Sequence, residues 1–188
     1  FRRGAASVTG LDISENMLSV ARAEQPNAVF LRADICELPA FDEPFDVVFS
    51  SLAVHYVRDF LKLCADVFSL LTPGGFFIFS QENPLTTAPS ADEIWTRDET
   101  GKVLYYNLSE YSVSGKRTIR WFVDGVVKYH RTFSDIVNAL AGAGFVITAM
   151  REPIPSAKEL KRDPTLARKL HKPDFLVVQA RKPVSLHL

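Results

Sequence analysis

Two carboxylates stand where short apolar runs end. Ala6-Ser7-Val8-Thr9-Gly10-Leu11 closes on Asp12, and Ala28-Val29-Phe30-Leu31-Arg32-Ala33 closes on Asp34, 22 positions later. An acidic residue at the carboxyl end of a parallel strand lies at the edge where open α/β sheets bind ligands. There Asp12 can accept hydrogen bonds from the vicinal hydroxyls of a ribose, or it can do no more than cap the helix that follows. Three further groups could move a proton: His55 just after a third apolar run, Glu82 just after a fourth, and His130 in Lys128-Tyr129-His130-Arg131. Such side chains are the usual general acids and bases. Each also has a plain alternative, respectively a packing histidine at a helix start, a solvated loop carboxylate and a solvated edge strand.

The elements that must position these groups follow from periodicity. Ser14 is a good N-cap, and Met17, Leu18 and Ala21 recur at helical spacing, which predicts a helix over 15–24 that stops before Pro26. Phe45-Asp46-Val47-Val48-Phe49-Ser50 reads as a strand apolar on both faces. A loop over 51–57 and a helix from about Asp59 to Leu70 follow, with Phe60, Leu63, Cys64, Val67 and Leu71 on one face. Thr72-Pro73-Gly74-Gly75 breaks that helix ahead of a fourth strand, Phe76–Ser80. Strands alternating with helices imply right-handed βαβ units and a parallel sheet.

Residues 82–116 read as a long loop region. Strands over 117–123 and 126–131 flank Asp124-Gly125, a two-residue hairpin signal. Segment 82–131 therefore reads as an insertion, a lid over the carboxyl edge of the sheet, between core segments 1–81 and 132–188. A helix from Ser134 to about Ala141, stopped by Gly142 and Gly144, leads to a strand at 145–150. Residues 156–171 are helical or loop-like, and 175–181 is the last strand.

At 188 residues the chain reads as one domain, or one domain with a small insertion, and a chain of this size buries roughly 70% of its unfolded surface. Its 22 basic and 22 acidic residues balance, which argues against a nucleic-acid surface or a polybasic membrane patch. Cys36 and Cys64 form no metal-ligand spacing and no CxxC, which suggests reduced thiols and a cytoplasmic setting. No apolar run reaches the length of a membrane span. The opening Phe1-Arg2-Arg3-Gly4 reads as a helix end with its glycine stop, so further sequence upstream is expected.

Five motifs stand in order along nearly the whole chain: Thr9-Gly10-Leu11-Asp12-Ile13-Ser14; Arg32-Ala33-Asp34-Ile35; Phe45-Asp46-Val47-Val48 with Ser50-Ser51-Leu52-Ala53-Val54-His55-Tyr56; Leu71-Thr72-Pro73-Gly74-Gly75; and Ala143-Gly144-Phe145. Together they resemble the class I S-adenosylmethionine-dependent methyltransferases, in particular the small-molecule branch that includes the quinone-biosynthesis C-methyltransferases. The resemblance implies a Rossmann-like three-layer α/β sandwich, mostly parallel, with 175–181 antiparallel and paired with 145–150. It implies S-adenosyl-L-methionine as cofactor and a small, partly apolar organic acceptor. Asp12 would take the ribose hydroxyls, Ile13 and Met17 would flank the adenine, Asp34 would take its amino group and Ile35 its ring. Ser50 and Ser51 would lie near the methionine part.

His55, Glu82 and His130 would be the candidate catalytic groups, with Tyr106, Trp121 and Arg131 lining the acceptor site. The chain departs from the family pattern in having no first strand or glycine-rich loop ahead of Gly4. Two other readings are a nicotinamide-dependent oxidoreductase, against which no Tyr-x-x-x-Lys pair occurs, and a non-catalytic domain of the same fold. A monomer or homodimer is expected, without metal.

Overall fold

A computed structural model describes residues 4–89, 94–119 and 125–184. The chain divides into two compact units, Phe1–Asp42 and Glu43–Leu188.

The first unit is one βαβ turn. Strand β1 (Thr9–Asp12), helix α1 (Glu15–Glu24) and strand β2 (Val29–Arg32) follow in order, and β1 pairs with β2 in parallel, Asp12 opposite Arg32. Ser14 caps α1 as its sequence predicts, its hydroxyl accepting the Met17 N–H at 3.4 Å. Leu18 is the buried residue of the helix. Gly10 sits against the Phe30 ring, where a Cβ would lie 2.7 Å from the ring carbons, so no other residue fits without displacing the phenyl.

The second unit is built on a four-stranded sheet in the order β3-β4-β10-β9. Strand β3 (Phe45–Ser51) leads through a 3-10 turn (Val54–Tyr56) into helix α2 (Phe60–Leu70), capped by Asp59, whose carboxylate accepts the Lys62 N–H at 2.9 Å. Strand β4 (Leu71–Glu82) runs parallel to β3. It is longer than the sequence suggests: Thr72-Pro73-Gly74-Gly75 lies inside it, and the β3–β4 register shifts between Phe45 and Val47.

After β4 come the short helix α3 (Pro84–Thr87), then β5 (Trp95–Arg97) with β6 (Val103–Tyr106), and β7 (Gly115–Ile119) with β8 (Val126–His130), both antiparallel pairs. The expected loop over 82–116 thus holds a hairpin of its own. Helix α4 (Phe133–Gly142) starts at a Thr132–Asp135 capping box and includes Gly142; the stop falls at Gly144, with φ +96° and a Phe68 ring carbon 3.1 Å from where a Cβ would stand. Strand β9 (Val146–Arg151), helix α5 (Ala157–Arg162), a 3-10 turn (Pro164–Leu170) and β10 (Phe175–Arg181) complete the chain. Strand β10 is antiparallel to both β4 and β9, as the resemblance implies.

The core lies on one face of this sheet. Phe77 and Phe79 on β4 and Leu176, Val178 and Ala180 on β10 are buried, as are Phe60, Leu63, Cys64 and Val67 of α2 and Ile136 and Leu140 of α4. Edge-on aromatic contacts, Phe60 with Phe79 at 5.6 Å and Phe68 with Phe145 at 5.0 Å, join the layers. On the other face Val47 and Phe49 of β3 are 50% and 68% exposed. The expected single, mostly parallel sheet is therefore present as two ladders, β1–β2 and β3-β4-β10-β9, each with one parallel pairing of neighbours. Among the described residues no helix is long and apolar enough to cross a membrane.

Candidate active site

In the first unit both strand-end carboxylates are oriented by local turns. Asp12 Oδ1 accepts the Ser14 N–H at 2.8 Å, and Asp34 Oδ1 accepts the Cys36 N–H at 2.8 Å. Each has its second oxygen left over, since these are the side-chain contacts the described residues give them. Asp12 thus serves the turn and still has acceptor capacity for a ligand hydroxyl. Ile13 follows it and Met17 lies in the first turn of α1, and they are 63% and 59% exposed. Arg32 donates through Nε to the Ile13 carbonyl at 3.1 Å, fixing the backbone between them, and Ile35 is half-buried. A carboxylate with a spare oxygen at a strand end, followed by exposed apolar side chains, suits a nucleoside: hydroxyls to the acid, an aromatic base to the alkyl surface.

In the second unit the carboxyl ends of β3 and β4 carry a different kind of cluster. Ser80 Oγ donates to Ser51 Oγ at 3.4 Å, while the Leu52 N–H donates to the Ser80 carbonyl at 2.9 Å. Leu52 itself has φ +52°, a left-handed conformation uncommon for leucine. Ser50 is half-buried and Ser51 exposed.

His55 lies in the 3-10 turn, buried, its Nδ1 accepting the Glu82 backbone N–H at 3.4 Å and its ring 4.3 Å from that of Tyr56. Burial pushes the imidazole down to about 4; Lys128 and Arg131 push the same way, and Glu82 opposes them. The Glu82 carboxylate accepts a hydrogen bond from Lys128 Nζ in an ion pair whose lysine side chain is 5% exposed and whose glutamate is 21% exposed. His55 and Glu82, expected as separate candidates, are therefore in contact, and Lys128 completes the group. Lys128 carries no motif signal. Strand alternation, which places it on the same face as His130, is the hint the sequence offers.

The chain matches the family described as "Methyltransferase domain" over residues 1–79. An S-adenosylmethionine-dependent methyltransferase from Mesorhizobium loti is 41% identical, with 96% of this chain and 82% of that one covered and a TM-score of 0.88. A second such structure, described as a putative S-adenosylmethionine-dependent methyltransferase from Listeria monocytogenes, is 34% identical over the same shares, with a TM-score of 0.87. The chain belongs to the S-adenosylmethionine-dependent methyltransferases. A malonyl-[acyl-carrier protein] O-methyltransferase from Serratia marcescens is 36% identical over 80 residues, which cover 43% of this chain and 31% of that protein.

Three further candidates of this methyltransferase, His130, Arg131 and Tyr106, are engaged within the protein. His130 is buried; its Nε2 donates to the Tyr111 carbonyl and its Nδ1 accepts from the Thr87 hydroxyl, both at 2.8 Å, which leaves no free ring nitrogen. Burial pushes its titration down as well. The guanidinium of Arg131 donates to the carbonyls of Val57 and Arg58 and lies 5.3 Å from the centre of the Phe60 ring, so it ties the 3-10 turn to the start of α2. Tyr106 donates to the Leu85 carbonyl and is pushed up to about 12 by burial, with Asp174 adding to the effect. Its ring packs with Trp95 at 5.0 Å and lies under the Lys172 ammonium at 5.2 Å. Lys172 in turn donates to Thr86 and Asp174, fastening this small cluster beneath the insertion. Trp121 lies outside the described residues.

Proposed function

We propose that this methyltransferase transfers a methyl group from S-adenosyl-L-methionine to a small, partly apolar organic acceptor. S-adenosylmethionine supplies a methyl on a positively charged sulfur, and the protein's work is approach and alignment. In the first unit Asp12 and Asp34 would hold the ribose and the adenine amino group, with Ile13, Met17 and Ile35 against the adenine ring. In the second unit Ser50 and Ser51 would face the methionine part, and His55 and Glu82 the acceptor. His130, Arg131 and Tyr106 would support the site from behind, and Trp121 would belong with the insertion, the lid that selects the acceptor.

The observation that carries this reading is the Asp12 carboxylate, with a spare oxygen at the end of β1 and the exposed side chains of Ile13 and Met17 in the turn and helix that follow. Titration calorimetry tests it. Asp12→Ala should weaken S-adenosylmethionine binding by about 1–3 kcal/mol, the worth of charge-assisted hydrogen bonds. Unchanged affinity would remove Asp12 from the site, and tight NADH binding would favour an oxidoreductase.

The absence of a CxxC or metal-ligand spacing in the sequence supports a reducing, cytoplasmic setting.

A further inference from the structure

Lys128 on β8, Glu82 at the end of β4 and His55 in the 3-10 turn form a chain of contacts with a direction. The lysine donates to the Glu82 carboxylate, and the Glu82 backbone N–H donates to His55 Nδ1. A backbone amide is always a donor, so Nδ1 is fixed as an acceptor. A neutral imidazole whose Nδ1 accepts carries its proton on Nε2. His55 thus carries its proton on Nε2, and the Nδ1 lone pair is already in use.

We propose that Lys128 is a positioning residue. By anchoring Glu82 it holds His55 as a hydrogen-bond donor, so that the site takes an acceptor arriving with an ionised oxygen, a carboxylate, rather than one from which a proton must be removed.

This rests on the methyltransferase reading of the same site. The groups facing the ring are Tyr56 beside it, Glu82 from β4, Lys128 from β8 and Arg131 just beyond β8. With the ring held down to about 4, it is neutral at pH 7 and a weak base there. Glu82 Oε1 is already taken by a lysine that is 5% exposed. Carboxylates are ionised at neutral pH, whereas alcohols and phenols are not. Methylating a carboxylate oxygen requires no base: an oxygen lone pair forms the new O–C bond and the electrons of the S–C bond return to sulfur. The negative and positive charges cancel, and no proton remains to be placed.

Long-range proton–nitrogen NMR of the histidine rings in the full chain tests the positioning role. His55 should show a neutral ring protonated on Nε2 from pH 8 down to about 5. Lys128→Met should raise its proton affinity about tenfold, and Lys128→Arg should restore the original spectrum. A ring protonated on Nδ1, or a titration unmoved by Lys128→Met, would overturn it.

The substrate class is tested by methyl transfer from labelled S-adenosylmethionine to benzoate, cinnamate and octanoate beside phenol and catechol. Alkali-labile methyl esters are expected. Transfer to the phenols alone, or to no carboxylate while the cofactor binds normally, would overturn the carboxylate assignment. Failure to bind S-adenosylmethionine would instead overturn the underlying methyltransferase site, and the NMR result would still decide the role of Lys128.

Discussion

The carboxylates of the first unit and the histidine cluster of the second solve opposite problems. Asp12 and Asp34 are oriented by the amides two residues ahead of them, Ser14 and Cys36, and each has a second oxygen with no side-chain partner among the described residues. His55, Glu82 and Lys128 are brought together across gaps of 27 and 46 positions, and their polar atoms are spent largely on one another. A locally built site can be exposed, because the turn itself holds the side chain. A site assembled from distant segments must be buried and paired, because packing is what holds it. Damage to the first should therefore appear in binding, and damage to the second in stability.

Four substitutions and a pH series probe that contrast. The largest effect is expected at Arg131, whose removal orphans the carbonyls of Val57 and Arg58. Arg131→Ala should cost about 2–4 kcal/mol in urea unfolding; a loss under 1 kcal/mol would mean that the turn holds itself.

Next comes acidification. The folded-state titration of His55 lies below the ordinary value of 6.5, at about 4, so the unfolded chain takes up the proton first. The stability attached to His55 is complete above pH 6.5 and drains away as pH falls towards 4, by about 3 kcal/mol at most. His130 acts in the same direction. His55→Leu should flatten much of this acid limb in thermal melts across pH 4–8; an unaltered limb would place its origin elsewhere.

Asp12→Ala, with its effect on cofactor affinity, should cost only about 1 kcal/mol of stability or less, the loss of one turn hydrogen bond. A larger loss would erase the distinction between the two regions. The smallest effect belongs to Gln81, whose buried Oε1 has no partner among the described residues. Gln81→Met should leave stability unchanged or raise it slightly, because it removes an unsatisfied acceptor. A clear destabilisation would show that the amide is held by something further.

The same contrast governs what the sequence reveals. Asp12, Ser14 and the helix after them are legible because cap, strand end and apolar period all lie within ten residues. The antiparallel β10 is legible through the resemblance. The hairpin β5–β6 is not, because strands of three and four residues carry too little alternation, although its turn is marked by Asp98 accepting the Thr100 and Lys102 amides and by Gly101 at φ +83°. Thr72-Pro73-Gly74-Gly75 reads as a break, yet β4 absorbs it through a register shift against β3. Lys128 has no local signature beyond strand alternation: its meaning comes from Glu82, and that pairing exists only once the Lys128 ammonium reaches the Glu82 carboxylate at the end of β4. The left-handed backbone at Leu52 is equally silent, since leucine is among the residues that least advertise it.

That leucine reverses the usual sense of a conservative replacement. Its side chain is exposed, so little packing is at stake, whereas its φ of +52° is fixed by the two bonds its N–H makes to Ser80. Substitution tables rank isoleucine and valine as its nearest kin and glycine and asparagine as remote. At this position the backbone ranks them the other way. Branching at Cβ is worst suited to a left-handed residue, and glycine suits it without penalty. In a saturation library, the variants that persist at position 52 should be those that chemical likeness would discard first.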